Sequence, residues 1–185
     1  MALSVTGEDA IVEAIKTLLQ AQLQDELTAQ TTAAGLAWTI TAPDNSEQGY
    51  STDETWTPKN RQNSIKIYCD RVEDIEQFVN VGGPIRQSVE IGIRWSFFSQ
   101  KGAQFGTRRR LQARAVKKLL REYWYNTYGP QTASWLNTDN LRIEYSNENF
   151  RAQDDEPGQQ ASTGDNIDYV IVRPTFTQRV TAPQT

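Results

Sequence analysis

The residue types that carry most enzyme chemistry are scarce in this chain of 185 residues, which contains no histidine and one cysteine, Cys69. Without histidine, Ser-His-Asp and Cys-His catalysis, histidine proton shuttles and the usual zinc ligand sets are excluded. A single cysteine cannot form a disulfide within the chain. Because Cys69 alternates with Ile65 and Ile67, we interpret it as a small buried thiol on a strand.

Carboxylates and glycines are present, but they form no motif that binds a metal or a phosphate. Pro43-Asp44 is not followed by the Glu-x-Lys triplet of metal-dependent nucleases, and Gly82-Gly83-Pro84 lacks the Lys-Ser/Thr that completes a phosphate loop. We interpret the glycines as a turn. The only clustered acids lie near a predicted loop: Glu144, Glu148, Asp154 and Asp155. A carboxylate-dependent enzyme is therefore the weakest alternative, and we predict no catalytic residue, metal or cofactor.

Basic side chains are concentrated on one predicted helix, Thr107 to Tyr125. The segment 86–126 holds ten Lys or Arg against two Glu, a local charge of +8, although the whole chain has a net charge of -4. Such a face either meets an acidic surface of a neighbouring subunit or contacts nucleic-acid phosphates. The candidate binding residues on this face are Arg108, Arg109, Arg110, Arg114, Lys117, Lys118 and Arg121.

Two polar stretches are long for connections within a compact domain, and such loops are usually functional or disordered. The first, 42–63, carries Tyr50 and Trp56, which we expect either to contact a partner or to fold back onto the domain. The second, 147–166, is expected to be mobile until a partner orders it. Its candidate partner-binding residues are Asp154, Asp155 and Glu156.

Hydrophobic periodicity predicts the elements that must position these residues. Apolar residues at helical spacing predict a first helix from Glu8 to about Ala29, capped by Thr6 with Asp9. The clearest strand alternation, Arg86 to Phe98, predicts a long hairpin with 76–81 that projects beyond the sheet. Pro174 places the last strand at an edge or at a bulge. The other predicted strands are Leu36 to Thr41, Ser64 to Cys69, Leu141 to Tyr145 and Asp168 to Val180.

These elements predict an α+β fold, in which one mostly antiparallel twisted sheet with a long hairpin packs against two main helices in the order α-β-β-β-α-β-β. We expect one domain over 1–180, with 181–185 as a flexible tail. No stretch approaches about 18 apolar residues, and the first residues lack the charged and apolar regions of a secretory signal. We therefore expect no membrane contact and no export.

The order of these elements resembles the tail terminator proteins of tailed bacteriophages. The resemblance spans nearly the whole chain and depends on the long strand Ser88 to Phe98, the helix Thr107 to Tyr125 and the closing strands. Members of that family, and the similar neck proteins, form rings, commonly hexameric, that cap the finished tail tube.

The resemblance implies a structural virion protein of the tail or neck, made in the host cytoplasm and not an enzyme. Its partners would be its own copies, the tail tube, the sheath if the tail is contractile, and neck proteins, with DNA only passing through the lumen. We expect the sheet to approach the lumen, the basic helix to face outward or the next subunit, and the loops 42–63 and 147–166 to contact adjoining rings. The alternatives are a connector or stopper protein of the neck, and a nucleic-acid-binding protein that uses the helix 108–121.

Overall fold

The computed structural model describes residues 7–52, 63–77, 85–98, 105–128, 134–149 and 166–180. Two helices and five strands follow one another in the predicted α-β-β-β-α-β-β order, which confirms the α+β fold. The elements are α1 (Glu8–Ala33), β1 (Tyr50–Ser51), β2 (Ser64–Gln77), β3 (Ile85–Phe98), α2 (Phe105–Tyr128), β4 (Ser134–Asn149) and β5 (Asn166–Val180).

The five strands form one sheet in the order β1-β2-β3-β5-β4. Only β1 is parallel to its neighbour, and all other pairs are antiparallel. A long hairpin is confirmed, but its first arm is β2, which pairs with β3 from Ser64 opposite Ser96 to Gln77 opposite Ile85, and not the predicted segment 76–81, of which 78–81 lie outside the described residues. The predicted projection beyond the sheet is wrong, because β3 also pairs with β5 from Ile85 to Phe98. At 14 residues each, β2 and β3 are more than twice the usual length of about six.

The hydrophobic core lies between the sheet and the two helices. The alternation predicted for β3 is confirmed, because Val89, Ile91, Ile93, Trp95 and Phe97 are all at most 2% exposed. Helix α1 packs over β1 and β2, whereas α2 packs over β4 and β5. The two helices therefore cover opposite halves of the same sheet.

The start of α1 differs from the predicted Thr6–Asp9 cap. Gly7 is the N-cap residue, with φ 89°, and no side chain caps the helix; Thr6 lies outside the described residues. The backbone N–H of Gly7 instead donates to Gln178 Oε1 on β5 at 3.1 Å. The helix is thus anchored by a tertiary hydrogen bond, and it continues past Ala29 to Ala33.

The predicted strand Leu36 to Thr41 is wrong, because this segment has no strand pairing. Its backbone groups bond to a helix side chain instead: Gln24 of α1 donates to the Ile40 carbonyl at 3.4 Å and accepts from the Ala42 N–H at 2.9 Å. The short strand β1 lies further on, inside the segment predicted to be loop.

The prediction ended strand β2 too early, because bulges interrupt the alternation of buried and exposed residues. Strand β2 continues past Cys69 to Gln77 through irregularities at Asp70 and Ile75. Pro174 lies in β5, which is an interior strand, so the predicted edge position is wrong. The predicted bulge is confirmed on the neighbouring strand, since the β4–β5 register shifts between Asn137 and Arg142, opposite Pro174.

Two further predictions concern Cys69 and membrane-spanning helices. Cys69 faces the core as predicted, but its side chain is half-buried rather than fully enclosed. Neither helix in the described part of the chain has the apolar length needed to cross a membrane.

Candidate assembly surfaces and a polar cleft

The predicted basic face of α2 divides into two groups. Arg110, Arg114 and Arg121 are exposed and Lys117 is half-buried. At about 100° per residue, these four positions fall within roughly 60° of one another and form one line about 16 Å long. We call this line the basic stripe. Within the described part of the chain, Arg110, Arg114 and Lys117 form no ion pair.

The other three predicted cations are engaged within the domain. The guanidinium of Arg108 lies over the ring of Phe97, and that of Arg109 lies over the ring of Tyr145, each 5.2 Å from the ring centroid. Lys118 Nζ lies 2.9 Å from Glu26 Oε2 and links the two helices. These residues stabilise the fold, so of the seven predicted cations only Arg110, Arg114 and Lys117 have neither an ion pair nor a stacked ring in the described part of the chain.

Tyr50 is positioned by a turn that the local sequence builds. Asp44 Oδ1 accepts hydrogen bonds from the N–H and hydroxyl of Ser46, and Ser46 Oγ accepts the Gly49 N–H at 3.1 Å. A methyl group on Gly49 would overlap the carbonyl oxygen of Asp44, so glycine is required there. The Tyr50 ring is 1% exposed. Of the two predicted alternatives for Tyr50, the structure shows that the side chain folds back into the core and is not an exposed partner contact.

Beside Tyr50 lies an open cleft of about 750 Å³ whose lining combines polar and apolar surface. Two hydrogen bonds hold the side chain of Asn63 in the lining of the cleft. Trp95 Nε1 donates to Asn63 Oδ1 at 2.6 Å, and Asn63 Nδ2 donates to the Thr41 carbonyl at 2.7 Å. Arg108 and Asp44 supply one positive and one negative side chain. The cleft can hydrogen-bond a polar group.

The electrostatics of the cleft do not favour proton transfer. Burial, and then the charge of Asp44, raise the pKa of Tyr50 above its ordinary value, so the phenol stays protonated at neutral pH. Burial lowers the pKa of Arg108. No poised acid–base pair results among these groups.

The sheet face opposite the helices carries a network of ion pairs. Arg173 on β5 pairs with Asp70 on β2, and its Nε lies 3.4 Å from Glu144 Oε1 on β4. Arg142 Nη2 lies 2.9 Å from Glu90 Oε1 on β3. Because these contacts join four strands, the network holds the sheet together. Glu144, one of the clustered acids of the weakest alternative, lies on the strand predicted for it and pairs with Arg142 and Arg173.

Aromatic side chains lie on the same sheet face. The Arg94 guanidinium stacks 3.7 Å above the Tyr169 ring. The Tyr68 ring lies across Gly92, where an added Cβ would overlap it. This face is therefore filled largely by its own residues.

The far end of β2 is the second exposed surface. We call residues 71–75 the acidic strand end: all five are exposed, with Val72 at 40% and Ile75 at 52%. The segment carries Glu73 and Asp74 against Arg71, which pairs with Glu73. Sequence reasoning missed this surface because it ended the strand at Cys69. The signal was the pair of apolar residues, Val72 and Ile75, among charged neighbours.

The remaining predicted partner contacts, Trp56, Asp154, Asp155 and Glu156, lie outside the described residues. Within the described part, no group of three or more His, Cys, Asp or Glu is arranged to hold a metal ion. No family model and no curated protein matches this chain.

Proposed function

We propose that this protein is a structural component of a phage tail, which forms a ring at the end of the tail tube and docks it to the neck. The observation that carries the proposal is the basic stripe of α2. Its residues Arg110, Arg114 and Lys117 form no ion pair with any residue that the structure describes. Such a line is typical of a surface that a partner neutralises.

The architecture supports the same proposal. The element order is the one that underlies the resemblance to tail terminators. A long hairpin and helices on one sheet face give a rigid domain with separate surfaces on its two sides. Copies of such a domain can contact one another head to tail and close into a ring. A connector or stopper protein of the neck would use the same features.

The experiment that tests the proposal measures how many copies bind per tail tube. Purified protein is mixed with tail tubes of two lengths, and bound protein is quantified after sedimentation of the tubes. A terminator binds only at ends, so the number of copies per tube should be the same for both lengths. Binding in proportion to tube length, or no binding, would contradict the proposal.

Nucleic-acid binding is the second candidate, and the basic stripe is the observation that favours it. Phosphate contacts would make affinity fall steeply with salt concentration. Fluorescence anisotropy with labelled duplex DNA at 50 and 200 mM salt distinguishes the two functions. The ring proposal predicts no salt-sensitive complex at micromolar protein, whereas a complex that is lost in Arg110→Glu/Arg114→Glu would favour nucleic-acid binding.

A further inference from the structure

We infer that the acidic strand end of one copy docks on the basic stripe of the next copy. The inference rests on the proposed function and specifies which surfaces close the ring. The occupant of each surface is a second copy of this chain.

The positions of the two surfaces in the fold support a head-to-tail contact. The acidic strand end belongs to β2, on the half of the sheet that α1 covers. The basic stripe belongs to α2, on the half formed by β4 and β5. Because α1 and α2 pack on opposite halves of the sheet, the two surfaces belong to opposite halves of the domain. A contact between them in successive copies is heterologous, the kind that generates closed rings.

The two surfaces also match in charge and length. From Arg71 to Ile75, β2 spans about 13 Å at an extended rise of 3.3 Å per residue, close to the roughly 16 Å of the basic stripe. The strand end carries two acids against Arg71: Glu73 pairs with Arg71, and Asp74 accepts from Gln87 Nε2 at 2.9 Å. Both acids are exposed, as are Arg110 and Arg114, so the two surfaces have net charges of opposite sign. Val72 and Ile75 lie beside the acids, and they add apolar area that a contact would bury.

The contact is made by side chains rather than by an added strand. Among the described residues, β1 pairs with β2 only at Ile65 and Lys66, so the outer edge of β2 has no strand beyond them. The bulges at Asp70 and Ile75 interrupt this edge, and bulges hinder strand addition. The surface therefore presents charged and apolar side chains to a partner, rather than a regular hydrogen-bonding ladder.

A charge-exchange experiment tests the inference. Two variants each reverse the charge of one surface: Glu73→Arg/Asp74→Arg and Arg110→Glu/Arg114→Glu. A third variant combines all four substitutions. Self-association is measured by light scattering, or by the fraction of occupied tube ends if the free protein is a monomer. Each double variant should associate at least tenfold more weakly, and the combined variant should recover most of the loss. Asp25→Arg, at an exposed carboxylate of α1 outside both surfaces, should associate as wild type does.

The outcomes separate the inference from the proposed function. Circular dichroism and unfolding midpoints first establish that each variant is folded. If wild type and both double variants form rings equally well, the inference is wrong while the ring function stands. If the double variants weaken association and their combination does not restore it, the pairing of these two surfaces is also wrong. If wild type neither associates nor occupies tube ends, the proposed function itself fails.

Discussion

At the residue scale, Gly92 shows how closely one side chain can constrain a strand. The Tyr68 ring occupies the space that a Cβ at position 92 would need. Gly92→Ala should therefore destabilise the protein by about 1–3 kcal/mol, the usual cost of overpacking. Urea unfolding measures the change.

The matched control removes the ring. In a Tyr68→Ala background, the same Gly92→Ala substitution should be neutral or mildly stabilising, because alanine is less costly than glycine in a strand. An equal penalty in both backgrounds would show that Tyr68 is not the cause.

Tyr50 provides a residue-scale prediction that depends on pH. Its pKa is raised in the folded protein by burial and then by Asp44, while the unfolded chain has the ordinary value of about 10. Above that pH the unfolded state loses the proton and the folded state keeps it, so unfolding becomes more favourable. The stabilising contribution of the neutral phenol is present below about pH 10 and is lost as the pH rises toward the folded pKa.

Replacing Tyr50 by Phe should remove this part of the alkaline destabilisation. The free energy of unfolding of Tyr50→Phe, relative to wild type, should improve between pH 7 and about pH 11. Denaturant titrations at the two pH values give the comparison. If the difference in the free energy of unfolding between Tyr50→Phe and wild type is the same at both pH values, the raised pKa of Tyr50 does not contribute to the alkaline destabilisation.

Residue types and spacing predicted part of the candidate site. The exposure of Arg110, Arg114 and Arg121 follows from helical periodicity, and the structure confirms it. Periodicity could not separate these residues from Arg108 and Arg109, because their contacts with Phe97 and Tyr145 come from distant strands.

At the element scale, the two helices are joined by one half-buried ion pair. Glu26 on α1 is 8% exposed, and it accepts from both Lys118 Nζ and Gln30 Nε2. Lys118→Met leaves this carboxylate without its cation, and should cost about 1–2 kcal/mol after allowance for the exposed side of the pair.

The adjacent lysine provides the control. Lys117 has no ion pair in the described part of the chain, so Lys117→Met should change stability by less than about 0.5 kcal/mol. Thermal or urea unfolding of the two variants compares them directly. Similar losses from both substitutions would contradict the role of the Glu26–Lys118 pair.

Element types were more predictable than element ends. Periodicity identified both helices and the long strand β3, because each has one buried face. It failed at Leu36 to Thr41, where Gln24 takes the backbone hydrogen bonds that a strand would need. It also shortened β2, because the bulges at Asp70 and Ile75 break the two-residue alternation.

At the scale of the whole molecule, the account depends on two surfaces at opposite sides of one sheet. Salt should weaken their contact, since it is largely electrostatic and exposed.

Substituting Val72→Ser and Ile75→Ser removes apolar area without changing charge, and should weaken association at least tenfold while leaving the unfolding midpoint within a few degrees. Dilution followed by light scattering measures this loss, and unchanged association would exclude an apolar contribution.

The central claim is that the protein acts as a ring at the end of a tail tube. The most direct measurement is its mass by light scattering, alone and with assembled tail tubes, combined with electron microscopy of the tube ends. The account predicts a particle of about six 21.0 kDa chains, either in solution or on the tube end. A protein that stays a monomer with bare tube ends under both conditions would contradict it.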